Sequence, residues 1–199
     1  MSAIGITGGI STGKTTFADC LRELLPQAEF FNADRAAREL TDGDPAVREE
    51  IVREFGGQIY SPEGHLNRGQ LRATVFQSNA KRRALEKILH PRIRQQWRAK
   101  AESYRESSVF FFADIPLLYE TGGEILCDAV VVVACYPELQ LARLLQRTRL
   151  SRDEAGEIIK SQMSLEEKMK RANHLVWNNG GLTGLMEQAR LLTELWRKS

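Results

Sequence analysis

Gly8-Gly9-Ile10-Ser11-Thr12-Gly13-Lys14-Thr15 is the stretch on which the fold of this chain turns. It satisfies G-x-x-x-x-G-K-[ST] at every defined position, directly after the apolar run Ala3 to Thr7 and directly before a helical pattern over Thr15 to Leu25. Each residue type has a physical task. Glycines let the backbone turn tightly with its N–H groups inward, and the helix that follows offers the positive end of its dipole. Lys14 brings a charge to the β- and γ-phosphates of a nucleotide, and the Thr15 hydroxyl can ligate Mg²⁺.

Outward from this loop the chain repeats strand and helix. Ala3 to Thr7, Glu29 to Ala33, Val109 to Ile115, Ala129 to Cys135 and His174 to Trp177 are rich in Val, Ile and Phe and read as strands. Phe110-Phe111-Phe112 and Val130-Val131-Val132-Val133 run apolar without alternation, the mark of strands buried on both faces of a parallel sheet. Leu185, Ala189, Leu192 and Trp196 fall on one face of a C-terminal helix. The expected fold is α/β, a P-loop three-layer arrangement around a five-stranded parallel sheet.

Two stretches depart from this alternation. Residues 35–106 hold helical patterns without a convincing strand and read as a large helical insertion, with Pro91 starting a new helix at its tolerated first position. Residues 143–170 are dense in charge, with Ser151 placed to cap a helix, and read as a lid. The core then comprises 1–34, 107–142 and 171–199 of a single domain.

Phosphate binding alone does not choose among a GTPase, a motor and a kinase. No Asn-Lys-x-Asp guanine-reading motif occurs, and 199 residues leave no room for the larger cores of motors. Small-molecule phosphoryl transfer is the leading class. Asp34 ends the second strand at the sheet edge where ligands bind, so it is a candidate base for an acceptor hydroxyl. Equally, it could cap the helix beginning at Arg35. Arg38 lies one turn on, able to meet an anionic group beside that hydroxyl or to pair with Asp34. Asp114, at the end of the third strand, reads either as a Mg²⁺ ligand or as a turn cap.

Taken together, the motifs resemble the dephospho-CoA kinase family. The resemblance rests on Thr7-Gly8-Gly9-Ile10, Ala33-Asp34-x-x-Ala37-Arg38, His90-Pro91-x-Ile93-Arg94, Asp114-x-Pro116-Leu117-Leu118-Tyr119-Glu120, Ser161-Gln162-Met163 and Asn178-x-Gly180, in the family's order from Ile6 to Gly180. It implies transfer of the ATP γ-phosphate to the 3′-hydroxyl of dephospho-CoA, with Mg²⁺ as cofactor and Asp34 as base. It implies ATP contacts from Gly8, Ser11, Thr12, Gly13, Lys14, Thr15, Thr16 and Asn178, and an acceptor site lined by Arg38, His90, Arg94, Tyr119 and Glu120. Judged alone, His90 reads as a structural hydrogen-bonding residue. From the lid, Arg147 is the first choice to meet the transferred phosphoryl group, with Arg143 and Arg149 as alternatives.

The chain departs from the family at four points. Ser11-Thr12 replaces the usual Gly-Ser, so a positive φ at position 11 would strain a serine. Ile158 stands where many members have arginine, and Asn173 and Trp177 replace frequent aspartates, Trp177 being a candidate for core packing.

Composition excludes other classes. With 28 Lys+Arg against 26 Asp+Glu, the chain has no general electrostatic case for nucleic acid, and Lys81-Arg82-Arg83, Arg92, Arg94 and Arg98 read as a solvated or acceptor-binding face. The longest apolar run, Ala129 to Cys135, is far below the roughly 20 residues of a bilayer-spanning helix. The N-terminus lacks a signal-peptide pattern, so a cytoplasmic location is expected, with no membrane partner and no obligate protein partner. Cys127 and Cys135 would lie about 26 Å apart along a strand, beyond disulfide reach. The runner-up readings are a kinase for another nucleoside or nucleotide, and a nucleotide-sensing module without chemistry.

Overall fold

The computed structural model describes residues 3–105, 107 and 109–198. Met1 and Ser2, at the start of the N-terminal reading, and Glu106, at the end of the expected insertion, lie outside the described residues. The chain divides into two compact units, Met1–Phe31 with Lys100–Ser199, and Asn32–Ala99.

The first unit is built on a five-stranded sheet in the order β2-β3-β1-β4-β5. The strands are β1 (Ala3–Gly8), β2 (Glu29–Asn32, whose last residue falls in the second unit), β3 (Phe111–Asp114), β4 (Ala129–Ala134) and β5 (His174–Trp177). β1 runs parallel to both β3 and β4, and β4 runs parallel to β5. Every residue of β1, β3 and β4 is buried, which is why these runs carry no polar alternation. Helices α1 (Lys14–Leu24) and α9 (Leu182–Trp196) supply Phe17, Leu21, Leu185, Ala189 and Trp196 to one core with Ile4, Ile6, Phe112, Val131 and Val176. The remaining helices of this unit are α6 (Pro137–Arg147), α7 (Arg152–Lys160) and α8 (Leu165–Arg171). Ser151 caps α7 in a reciprocal box with Glu154.

The second unit is helical. Its elements are α2 (Ala33–Gly43), α3 (Pro45–Phe55), α4 (Arg68–Gln77) and most of α5 (Asn79–Tyr104), around a core of Leu40, Val47, Ile51, Tyr60, Leu71 and Ile88. Pro91 does not start a new helix. It lies inside the 26-residue α5, where it removes one backbone donor yet leaves the helix unbroken. Two of the basic residues between Lys81 and Arg98 are held by carboxylates within this unit: Arg92 pairs with Glu50 at 2.7 Å and Lys81 with Glu54 at 2.8 Å.

Candidate active site

The phosphate loop leaves the C-terminal end of β1, the central strand, and closes into α1. Its glycines are dictated by close approach. A Cβ on Gly8 would run into the Val133 carbonyl, and Gly13, at φ 92°, leaves room only for the Asn178 amide. Asn178 is buried, and its Nδ2 donates to the Thr12 carbonyl at 2.8 Å. Asn178 therefore braces the loop through its side chain. Ile10 is held from two sides: its N–H donates to Gln162 Oε1 at 3.0 Å, and its carbonyl accepts from Gln140 Nε2 at 2.9 Å.

Ser11 has a φ of 59°, the one positive φ at a non-glycine among the described residues. The left-handed conformation expected to strain a serine is thus present. Its Oγ is buried without a hydrogen-bond partner. Thr15 and Thr16, at the start of α1, are exposed.

Register brings the second key group beside the loop. Asp114 lies opposite Ile6, two residues before the loop's first glycine, and its carboxylate accepts from Lys14 Nζ. The pair is shielded, with side-chain exposures of 12% for Lys14 and 2% for Asp114. Asp114 therefore holds the loop lysine.

A cavity of about 430 Å³ opens beside the loop, lined by Ser11, Gly13, Thr16, Arg143, Arg147, Asn178 and Gly180 among others. Arg143 Nη1 donates to the Asn178 carbonyl at 2.9 Å, while Arg147 is exposed at the last residue of α6. Trp177 is 40% exposed and lies 5.9 Å, ring to ring, from Tyr136. It does not pack into the core, because its position on the edge strand β5 faces outward.

Of the residues expected at the acceptor, Asp34, Arg38, His90 and Arg94 are in the helical unit. Asp34 does not cap α2. Asn32 does, its side chain accepting from Arg35 N at 2.8 Å, which leaves the exposed Asp34 in the first turn. The i,i+4 ion pair of this helix joins Arg35 to Glu39 at 2.7 Å. His90, half-buried, and Arg94, exposed, lie on α5 either side of Pro91.

Tyr119 and Glu120 follow β3 in the sheet unit. The Tyr119 hydroxyl is buried without a partner, and burial pushes its pKa up to about 12. The Arg171 guanidinium lies 5.9 Å from the centre of its ring. Glu120 Oε1 pairs with Lys168 Nζ at 2.9 Å and accepts from Met163 N at 3.0 Å. Lys168 escaped the sequence reading because it sits in a run of charges, Glu166 to Lys170, that looks like a solvated helix face.

A triphosphate cradle on the central strand, with an aspartate on the neighbouring strand and arginines across the adjoining cavity, is the architecture of a P-loop kinase. A family model described as dephospho-CoA kinase matches residues 2–184, and the chain belongs to that family. It is 38% identical over 194 residues to the dephospho-CoA kinase of Bacillus anthracis, covering 97% of this chain and 96% of the relative. With the dephospho-CoA kinase of Symbiobacterium thermophilum it shares 43% identity over 183 residues, 92% of this chain and 76% of the relative. The solved structure of dephospho-CoA kinase from Campylobacter jejuni superposes with a TM-score of 0.75 at 27% identity, covering 98% of this chain and 97% of that one.

Proposed function

We infer that this chain is a phosphotransferase acting on an alcohol group, moving the γ-phosphate of ATP to the 3′-hydroxyl of dephospho-CoA to give CoA and ADP. Family membership over residues 2–184 is the observation that carries this reading. The loop geometry supports it independently.

Each step is assigned to residues of this chain. The loop N–H groups and Lys14 hold the ATP phosphates, and the cavity lined by Thr16, Arg143, Asn178 and Gly180 receives the nucleoside end. Thr15 and Asp114 present a hydroxyl and a carboxylate, the hard oxygen donors that suit Mg²⁺, which takes few protein ligands beside phosphates and water. When bound there, Mg²⁺ would offset phosphate charge. Lys14 would then exchange its contact with Asp114 for the phosphates. Asp34 orients the 3′-hydroxyl and accepts its proton, a role compatible with its carboxylate being released from capping by Asn32. Arg38, His90 and Arg94 are assigned to the acceptor's phosphate-bearing part, and Tyr119 and Glu120 are assigned to acceptor binding as well. Arg147, on the lid formed by residues 143–170, stabilises charge on the transferred phosphoryl group. No described helix is long and apolar enough to cross a membrane, and we place the enzyme in the cytoplasm, with ATP and dephospho-CoA as its small-molecule partners.

The direct test incubates purified protein with Mg-ATP and, in separate reactions, dephospho-CoA, AMP, CMP and adenosine, with mass spectrometry of the products. Phosphate added to dephospho-CoA alone is the expected result. Phosphorylated AMP with untouched dephospho-CoA would overturn the acceptor.

A further inference from the structure

Among the described residues, Lys168 is the one lysine or arginine in the buried set, and its side chain is 0% exposed. A cation in that position must be matched by acceptors, because desolvation strongly disfavours an unpaired charge. Burial pulls the Lys168 pKa below the usual lysine value, while the bond to Glu120 opposes that shift. Lys168 Nζ donates to the Pro116 carbonyl at 2.8 Å, pairs with Glu120 Oε1 at 2.9 Å, and lies 3.5 Å from the Gly8 carbonyl. An ammonium has three N–H donors, and these acceptors match that number.

The partners come from three places in the chain. Gly8 opens the phosphate loop, 160 residues before Lys168. Pro116 lies two residues beyond Asp114, and its carbonyl also accepts from Thr7 Oγ1 at 3.0 Å. Glu120 secures Met163 N, next to Gln162, which holds Ile10 N of the loop. A single side chain thus ties the loop entrance, the segment carrying Asp114, and the arm running from Gln162 into α8.

Packing alone does not require a cation here. A methionine fills similar volume, although it leaves the Glu120 carboxylate without its cation, so Lys168→Met should lose stability as well. Phosphoryl transfer is a different matter, since it depends chiefly on placing donors and metal ligands, and a displacement of about 1 Å can cost roughly 10²-fold in rate. We propose that Lys168 is a positioning residue for phosphoryl transfer, acting through the Gly8 and Pro116 carbonyls and Glu120 to fix Lys14 and Asp114 in register.

This inference rests on the kinase reading above, so wild-type turnover of ATP and dephospho-CoA is measured first, which separates a failure of that reading from a failure of this one. The test then compares Lys168→Met and Lys168→Arg by single-turnover phosphoryl transfer and by equilibrium ATP binding, with rates expressed per ATP-binding site. For Lys168→Met the expected result is a rate lowered roughly 10- to 100-fold, with the dissociation constant for ATP within about threefold of wild type. Lys168→Arg, which keeps charge and donors, should run at least about threefold faster than the Met variant. A Met rate within threefold of wild type, a Met variant with no ATP-binding sites left, affinity falling as far as the rate, or no gain from arginine would each overturn the proposal.

Discussion

Lys14, the first residue of α1, meets Asp114 at the end of β3, the loop lysine donating to a carboxylate that is nearly inaccessible to water. The contact spans 100 residues of chain. It exists because β1 pairs with β3 in a register that sets Asp114 beside Ile6. Removing the carboxylate leaves Lys14 without its partner in a shielded site. Asp114→Ala should lose about 3 kcal/mol of stability and at least about 10²-fold in turnover. Urea unfolding midpoints and steady-state rates at saturating ATP measure the two effects. Unchanged stability would show that the pair does not form in solution.

Asn32 caps α2 while Asp34, the proposed base, lies two residues on, so capping and chemistry are tested apart. Asp34→Asn should lower turnover by roughly 10²- to 10⁴-fold, with ATP affinity and melting temperature preserved. Asn32→Ala should do the reverse, costing about 1 kcal/mol through the lost cap. A correctly folded Asp34→Asn enzyme at full turnover would sink the base assignment.

Ser11 carries its strain in the backbone, so relief should appear as stability. The left-handed conformation costs a non-glycine residue about 1–2 kcal/mol, partly offset by the extra freedom glycine gives the unfolded chain. Ser11→Gly should therefore raise the unfolding midpoint, by less than about 1 kcal/mol. Ser11→Ala keeps the strained φ and should give no such gain. Equilibrium denaturation of both variants decides the matter, and equal midpoints would remove the strain argument.

His174 makes stability depend on pH. Its Nε2 accepts from the Trp196 indole at 3.2 Å, and burial lowers its pKa below the ordinary 6.5. In the folded protein the neutral ring is favoured, so the unfolded chain takes up the proton first as pH falls. Well above pH 6.5 His174 is neutral in both states and adds no pH dependence, whereas stability falls as pH drops from there toward the depressed folded value. Melting temperatures at pH 5 and pH 7.5 should differ more for wild type than for His174→Gln. Parallel curves would contradict the assignment.

Much of the site was legible locally. The loop motif, the strand segments and the Ser151 cap depend on residues a few positions apart, where backbone sterics and hydrogen bonding act directly. Pro91 misled because a proline early in a helical pattern fits a helix start, whereas packing of Leu85, Ile88, Leu89 and Ile93 carries α5 through it. Trp177 misled because an aromatic residue suggests core, and only the strand order reveals that β5 is an edge.

By itself the sequence determined the triphosphate cradle, the α/β class and family membership, since each is written in short motifs kept in a particular order. The tertiary structure alone decided that Lys14 meets Asp114, that Asn178 braces Thr12, and that Lys168 is a buried tie and not a surface charge. Those contacts join residues 100, 166 and 48 positions apart. No local periodicity encodes them; sheet order and register bring them together, and burial then makes each polar group's choice of partner matter.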